Sequence, residues 1–451
     1  MAKPMISVAG IRGTLGDSLV PEEFLKFAAA FCSSLDKKVV VLGGDTRPSR
    51  HMVRHLVFAA AHATGCKVLD LGIVPTPTIG FMARELGAGG GIGITASHNP
   101  LNWNALKFFS DKGVFLTSDE MAEVLKRYDQ SNFDYVDYDQ LGTTETVDNP
   151  AGPHLKKVLD AVDVEAIRAK KFKVAIDLCN GAGVALLPDL LERLGCEVVP
   201  VFDDVEKAFE RTAEPLPENL GALSEAVNKA GAAVGFAVDP DADRLALVDE
   251  TGRPIGEERT LTLIARAVLQ KAQTDTPPPL VANLSTTRAL EDVAAEFGTT
   301  VERTKIGEAH VVQRIGQVKA LIGGEGNGGV IYPAIHSGRD AAAGIGLLLQ
   351  AMAESGKSLS SLNNEVPDYV MVKQKVGIEG KDVALILSKL RETFADANSF
   401  DDIDGLKISF ADSWIHVRPS GTEPILRVFT EAPDRKQAEN LAKKAMAVAA
   451  Q

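Results

Sequence analysis

The 451-residue chain is 45% hydrophobic and 24% charged, a soluble composition with material for about three domains of ordinary size. Its net charge of −13 excludes generic attraction to nucleic acid or to an anionic membrane. Neither is expected as a partner, and an anionic substrate must be met by cations gathered locally. No apolar run reaches the ~18 residues that suggest a membrane span, the first ten residues lack a secretion signal's apolar core, and the four scattered cysteines form no CxxC pair. Buried free thiols in a cytoplasmic protein are the expectation.

In chain order, the spacing of apolar residues predicts a helix over "PEEFLKFAAAFCSSL" (21–35) and a strand in "KVVVLGGDTR" (38–47). A helix over "HMVRHLVFAAAHATG" (51–65), a short strand "KVLDLG" (67–72) and a strand entering "GGIGITASHNP" (90–100) follow. The same order returns in "HLKKVLDAVDVEAIRAK", "KVAIDLCNGAG", "ALLPDLLERLG", "EVVPVF" and "AAVGFAVDPDADR", residues 154–244. It returns again in "EERTLTLIARAVLQKA", "LVANLSTTR", "ALEDVAAEFG", "VERTKIG" and "KALIGGEGNGG", residues 257–329. The last stretch differs: strands "LKISF", "SWIHV" and "ILRVFTEA" close on the helix "DRKQAENLAKKAMAVAA". Polar, turn-rich linkers over 129–153 and 353–368 separate the parts.

Strands alternating with helices predict an α/β fold. The expectation is three related α/β domains with mainly parallel mixed sheets, plus a smaller α+β C-terminal domain, around a central cleft. Boundaries are expected at 1–150, 151–255, 256–366 and 367–451. Ligands of open α/β sheets gather at the carboxyl ends of the strands. Each of the three repeats puts its oddest loop there: "TASHNP", "DPDADR" and "GEGNGG".

The loops carry chemistry. Asp239, Asp241 and Asp243 place three anions together, which suits a hard cation such as Mg²⁺ completed by phosphate or water oxygen. A calcium-binding EF-hand shares the Asp-x-Asp-x-Asp opening and even Glu250 at its twelfth position. Arg244 at the sixth, where glycine is required, and the strand before it argue against that reading. Arg418, Ser420, Gly421, Thr422 and Arg427 form a local basic and hydroxyl cluster fit for phosphate. Glu325 and Asn327, among glycines, pair a carboxylate with an amide as sugar hydroxyls require. Ser97 stands outside any Gly-x-Ser-x-Gly elbow or Ser-His-Asp order, so phosphoryl transfer suits it better than acyl transfer.

"TASHNP", "DPDADR", "GEGNGG" and "RPSGTEP", in this order, with "GIRG" at 10–13 and "GGDTR" at 43–47, resemble the α-D-phosphohexomutases. That family includes phosphoglucomutase/phosphomannomutase and phosphoglucosamine mutase, and the resemblance spans essentially the whole chain. It implies an isomerase that moves phosphate between the 6- and 1-positions of a hexose. Ser97 would be a phosphoserine, with one Mg²⁺ per active site held by Ser97, Asp239, Asp241 and Asp243. A hexose 1,6-bisphosphate would be intermediate and activator. Lys107 falls where the family has a lysine proposed for proton transfer, and His98, Arg12 and Arg244 would support the transferring phosphate. Glu325 and Asn327 would hold sugar hydroxyls, Lys305 and His310 would reach the ligand, and Arg418, Ser420, Gly421 and Thr422 would bind the distal phosphate, supported by Arg427.

In the sugar loop, Glu-Gly-Asn-Gly replaces the Glu-Met-Ser-Gly or Glu-Gln-Ser-Gly of several members. The "WNALK" context resembles bacterial members acting on glucosamine 6-phosphate, which is the leading substrate. A bifunctional glucose/mannose enzyme is the alternative, and a phosphoserine-dependent sugar phosphatase the alternative from another class. The working form is expected to be a monomer or homodimer.

Overall fold

The computed structural model describes residues 3–272, 276–420 and 425–450. The chain gathers into two compact units, Met1–Thr260 with Gly328–Leu362, and Leu261–Asn327 with Asn363–Gln451. Among the described residues the strands form four sheets, and no helix is long and apolar enough to cross a membrane.

The first unit carries two sheets. The larger has seven strands in the order Met5–Ser7, Gly10–Thr14, Trp103–Ser110, Gly90–Ile94, Val39–Gly44, Lys67–Ile73 and Thr144–Thr146. The last four run parallel, and the strands on the Trp103–Ser110 side run antiparallel. Helix Pro21–Ser34 begins on proline with Glu22 and Glu23 in its first turn, which suits the positive end of its dipole. Its buried Phe24, Phe27 and Phe31 enter the core, where the Phe31 ring stacks on Phe108 with centroids 4.6 Å apart. Strands buried on both faces read as continuous apolar runs, as Gly90–Ile94 does.

Two elements depart from the sequence pattern. Thr76–Glu85 is a helix although Pro75 and Pro77 punctuate it, because both prolines lie at its start, where no intrahelical N–H is needed. Trp103–Ser110 is a strand in the sheet interior, so Lys107 stands on a strand and not in a loop.

The second sheet has the order Leu245–Val248, Val234–Val238, Lys173–Asp177 and Glu197–Val201, parallel except for its first pair. "DPDADR" is the turn of the antiparallel hairpin between Val234–Val238 and Leu245–Val248. Helix Ala341–Ser355, capped by Asp340, also belongs to this unit.

The second unit contains the parallel strands Val301–Thr304, Leu280–Asn283 and Gly323–Glu325. It also holds a five-stranded antiparallel sheet in the order Val370–Gly377, Ile425–Ala432, Trp414–Pro419, Leu406–Ser409 and Ser399–Asp401. Helices Val383–Thr393 and Arg435–Ala449 cover that sheet through Leu390, Ala445 and Val448. All four cysteines are buried and free.

Candidate active site

Strand Gly90–Ile94 ends in a loop that presents Ser97 with φ at +48°, a left-handed conformation that a non-glycine residue keeps only when its surroundings impose it. The imposing group is Arg47, which is wholly buried. Its Nη2 donates to the carbonyls of Ser97 (2.5 Å) and Asn99 (2.7 Å), and its Nη1 to those of Pro100 (2.7 Å) and Trp103 (3.2 Å). Nε donates to Asp45 Oδ2 at 3.0 Å, which also accepts from Thr95 Oγ1 at 2.7 Å, and Thr95 Oγ1 in turn accepts from the Ser97 N–H. "GGDTR" therefore holds the serine loop from beneath.

Ser97 Oγ donates to Asp239 Oδ2 at 2.7 Å. One carboxylate oxygen each from Asp239, Asp241 and Asp243 lies within 4.8 Å of the others, and all three residues are buried. Asp239 Oδ1 closes the turn by accepting from the backbone N–H groups of Asp243 and Arg244. Asp241 Oδ2 accepts from Thr76 Oγ1 (2.5 Å) and Lys107 Nζ (2.6 Å). Asp243 Oδ2 accepts from Arg339 Nη2 (2.6 Å) and Lys107 Nζ (3.4 Å). The other oxygens, Asp241 Oδ1 and Asp243 Oδ1, are buried without a hydrogen bond among the described residues. Buried carboxylate oxygens normally find a partner. An all-oxygen donor set with two such orphans fits a hard divalent cation.

Charge is crowded here, and the protonation equilibria show it. Burial and the neighbouring Asp243 and Asp241 push the Asp239 carboxyl well above its ordinary value. Asp241 goes the other way: burial would raise it, but the Lys107 ammonium and the hydrogen bonds hold it well below. Burial works against the Lys107 charge, yet Asp241 and Asp243 outweigh it and raise its pKa. Burial, then the Arg244 and Arg12 cations, push His98 down to about 2, so its imidazole is neutral at physiological pH. His98 Nδ1 lies 3.4 Å from Ser97 Oγ. Arg12 donates to Asn99 Oδ1 at 2.9 Å, and Arg244 Nη1 to Glu214 Oε1 at 3.0 Å.

Ser97, His98, Lys107, Arg12, Arg244 and the three aspartates are thus gathered in the first unit. Asp45 and Arg47 of "GGDTR" join them, as do Arg339, Thr76 and Glu214, which no sequence signal singled out.

In the second unit, Glu325 is buried, and its Oε1 accepts from Asn283 Nδ2 (2.7 Å) and the Gly307 N–H (3.1 Å). Lys305 is exposed just before that glycine, and His310 is half-buried in the first turn of helix Glu308–Val318. Asn327 is half-buried beside the strand Gly323–Glu325. Arg418 Nε donates to Asp404 Oδ1 at 3.1 Å, and Arg427 stands directly across from Arg418 and from Lys375 in the sheet register. The Ser420 N–H donates to the Ile425 carbonyl at 2.9 Å. Gly421 and Thr422 lie outside the described residues.

Domain families described as phosphoglucomutase/phosphomannomutase alpha/beta/alpha domains I, II and III match residues 5–134, 153–252 and 257–369, and the C-terminal domain matches 371–448. Matches to all four domains, from residue 5 to residue 448, make the chain a phosphohexomutase, an isomerase class that transfers phosphoryl groups. The chain belongs to the phosphoglucomutase/phosphomannomutase family, the α-D-phosphohexomutases. It is 37% identical over 435 residues to a phosphoglucomutase/phosphomannomutase of Thermococcus kodakarensis, covering 95% of this chain and 94% of the relative. A probable phosphoglucosamine mutase of Methanopyrus kandleri is 32% identical over 96% of this chain and 95% of its own length. The crystal structure of a phosphoglucomutase/phosphomannomutase family protein from Burkholderia thailandensis superposes with a TM-score of 0.85 at 26% identity, covering 98% of this chain and 97% of that one.

Proposed function

We propose that the enzyme interconverts hexose 6- and 1-phosphates through a phosphoserine at Ser97 and a 1,6-bisphosphate, with glucosamine 6-phosphate as its leading substrate. The observation that carries this reading is the 2.7 Å contact between Ser97 Oγ and the buried triad carboxylate of Asp239. Ser97, Asp239, Asp241 and Asp243 would hold Mg²⁺, which when bound would neutralise phosphoryl oxygens and draw off carboxylate charge that otherwise favours protonated Lys107.

The chain's own residues do the rest. Ser97 Oγ gives its phosphoryl group to the free hydroxyl of the hexose phosphate, and after the bisphosphate reorients it takes back the other one. Arg12 and Arg244 meet the phosphoryl oxygens with cations, and neutral His98 orients the serine oxygen without adding charge. Lys107 moves the proton of the attacking hydroxyl. Glu325 and Asn327 hold sugar hydroxyls, and Arg418, Ser420, Gly421, Thr422 and Arg427 hold the distal phosphate, with Lys305 and His310 reaching the ligand. The setting is the cytoplasm, and the working form a monomer or homodimer.

The likeness at 37% identity to a phosphoglucomutase/phosphomannomutase favours a second reading, a bifunctional glucose/mannose enzyme. Parallel assays of glucosamine, glucose and mannose phosphates decide between the two. A larger kcat/KM for glucosamine 6-phosphate supports the first, and a large preference for either neutral sugar overturns it. Release of inorganic phosphate at the rate of turnover would replace both with a phosphatase.

A further inference from the structure

Resting on the reading that Glu325 grips sugar and Arg418 grips phosphate, we infer that Asp404 is a positioning residue that fixes these two grips relative to each other. Asp404 belongs to neither loop. Its carboxylate nevertheless touches both: Oδ1 accepts from Arg418 Nε at 3.1 Å, and Oδ2 accepts from the Ile306 N–H at 2.9 Å. Ile306 precedes Gly307, whose N–H donates to Glu325 Oε1.

The connection returns by a second route. The Asp404 carbonyl is 2.7 Å from His416 Nε2, and His416 Nδ1 is 2.8 Å from Ser285 Oγ. The Ser285 N–H donates to Asn283 Oδ1, and Asn283 Nδ2 donates to the same Glu325 Oε1. A closed polar ring thus runs from Glu325 through residues 306–307, Asp404, His416, Ser285 and Asn283 back to Glu325. Ser285, Asn283, His416 and Glu325 are all buried, so water does not readily substitute for these bonds.

Backbone shape adds an independent constraint at the Arg418 end. Gly405 has φ at +78°, and a Cβ placed there would stand 2.4 Å from the Val417 carbonyl oxygen and 2.8 Å from the Arg418 Cα. The turn can lie against Arg418 only because residue 405 is glycine. The guanidinium is held by its Nε edge.

The test is a cycle of variants assayed with glucosamine 6-phosphate and, in parallel, glucose 1-phosphate. Asp404→Asn keeps the shape and removes the charge. Losing one charge-assisted hydrogen bond corresponds to a KM raised about tenfold, with kcat changed less than about twofold. Asp404→Glu restores the charge and recovers part of that loss, whereas a residue needed only for folding would show the same KM in both variants. Arg418→Ala raises KM further, and adding Asp404→Asn to it costs little more, because the aspartate acts through the arginine. Thermal melts of each variant show whether it is folded, and Asp404→Glu carries the cycle if Asp404→Asn is not. If Arg418→Ala raises KM and the Asp404 variants do not, or if the two effects add in full, the positioning role is refuted. If Arg418→Ala itself leaves KM unchanged, the phosphate grip falls, and this inference falls with it.

Discussion

Replacing Arg47 with alanine should separate the scaffold of the serine loop from its chemistry. Arg47 and Asp45 are both completely buried, and their 3.0 Å ion pair is the charge balance of that pocket. Removing one partner of such a pair costs about 3–5 kcal/mol, because the remaining charge is stranded. Over a domain of this size that lowers the melting point by about 10 °C. The sign of its pH dependence follows from Asp45, whose carboxyl is raised by burial and drawn back down by Arg47 and Thr95. Without Arg47 it rises further. A carboxyl raised in the folded state contributes stability that is lost as pH climbs through its folded pKa, so the deficit of the variant should be larger at pH 8 than at pH 5. Activity should fall as well: releasing a Ser97 conformation worth about 1–3 kcal/mol costs roughly ten- to a hundredfold in kcat. Arg47→Lys separates the two effects, since it keeps a charge beside Asp45 but cannot serve four spread carbonyls from one nitrogen. It should melt near the wild type and still lose most of its kcat. Calorimetry at the two pH values and steady-state assays read both quantities. If Arg47→Ala melted and turned over like the wild type, the clamp would have no energetic meaning.

Ser97→Ala should lose turnover by at least about a thousandfold and take up no phosphate from a hexose bisphosphate, read by intact mass; normal turnover would remove Ser97 from the mechanism. Asp241→Asn should abolish Mg²⁺ binding measured by calorimetric titration, and Thr76→Val, which withdraws a donor from the same carboxylate, should weaken it about tenfold. Unchanged affinity in both would leave the triad without a metal role. Lys407 is buried, donates to the Leu284 carbonyl at 2.7 Å, and is pushed down to about 7 by burial and by Arg303. A lysine depressed in the folded state binds fewer protons there than in the unfolded chain between pH 7 and about 10. Stability should rise across that window by up to about 1.4 kcal/mol per pH unit. Lys407→Met should flatten that slope in denaturant titrations, and a wild type already flat there would contradict the assignment.

The parts legible in the sequence are those whose physics is local. Helix Pro21–Ser34 and strand Val39–Gly44 announce themselves because apolar period and β-branched runs respond to the face each element buries. Thr76–Glu85 was obscured by Pro75 and Pro77, since the same residue that breaks a helix interior opens a helix at its start. Trp103–Ser110 was obscured differently. Asn104 through Ser110 are all buried, so the strand has no alternation to read, and its Asn and Lys look like loop residues until the sheet closes around them.

The candidate site divides along the same line. Ser97 and the three aspartates stood out because polar groups crowd the ends of apolar strands, a contrast visible within ten residues. The groups that hold them come from far along the chain. Arg339 reaches Asp243 across 96 positions and Thr76 reaches Asp241 across 165. No period or spacing encodes such a pairing; only the closing of the sheets brings it about. Reactive groups are therefore easier to read than their supports, and the supports are where buried charge is balanced. Asp404 belongs to this second class. It lies in a plain Asp-Gly turn, which sequence alone reads as a hairpin corner. What distinguishes it is that both of its carboxylate oxygens are engaged, one by Arg418 and the other by the loop that contacts Glu325. A turn aspartate needs only one such bond to close its turn, and the second engagement ties two ligand-holding loops into one frame.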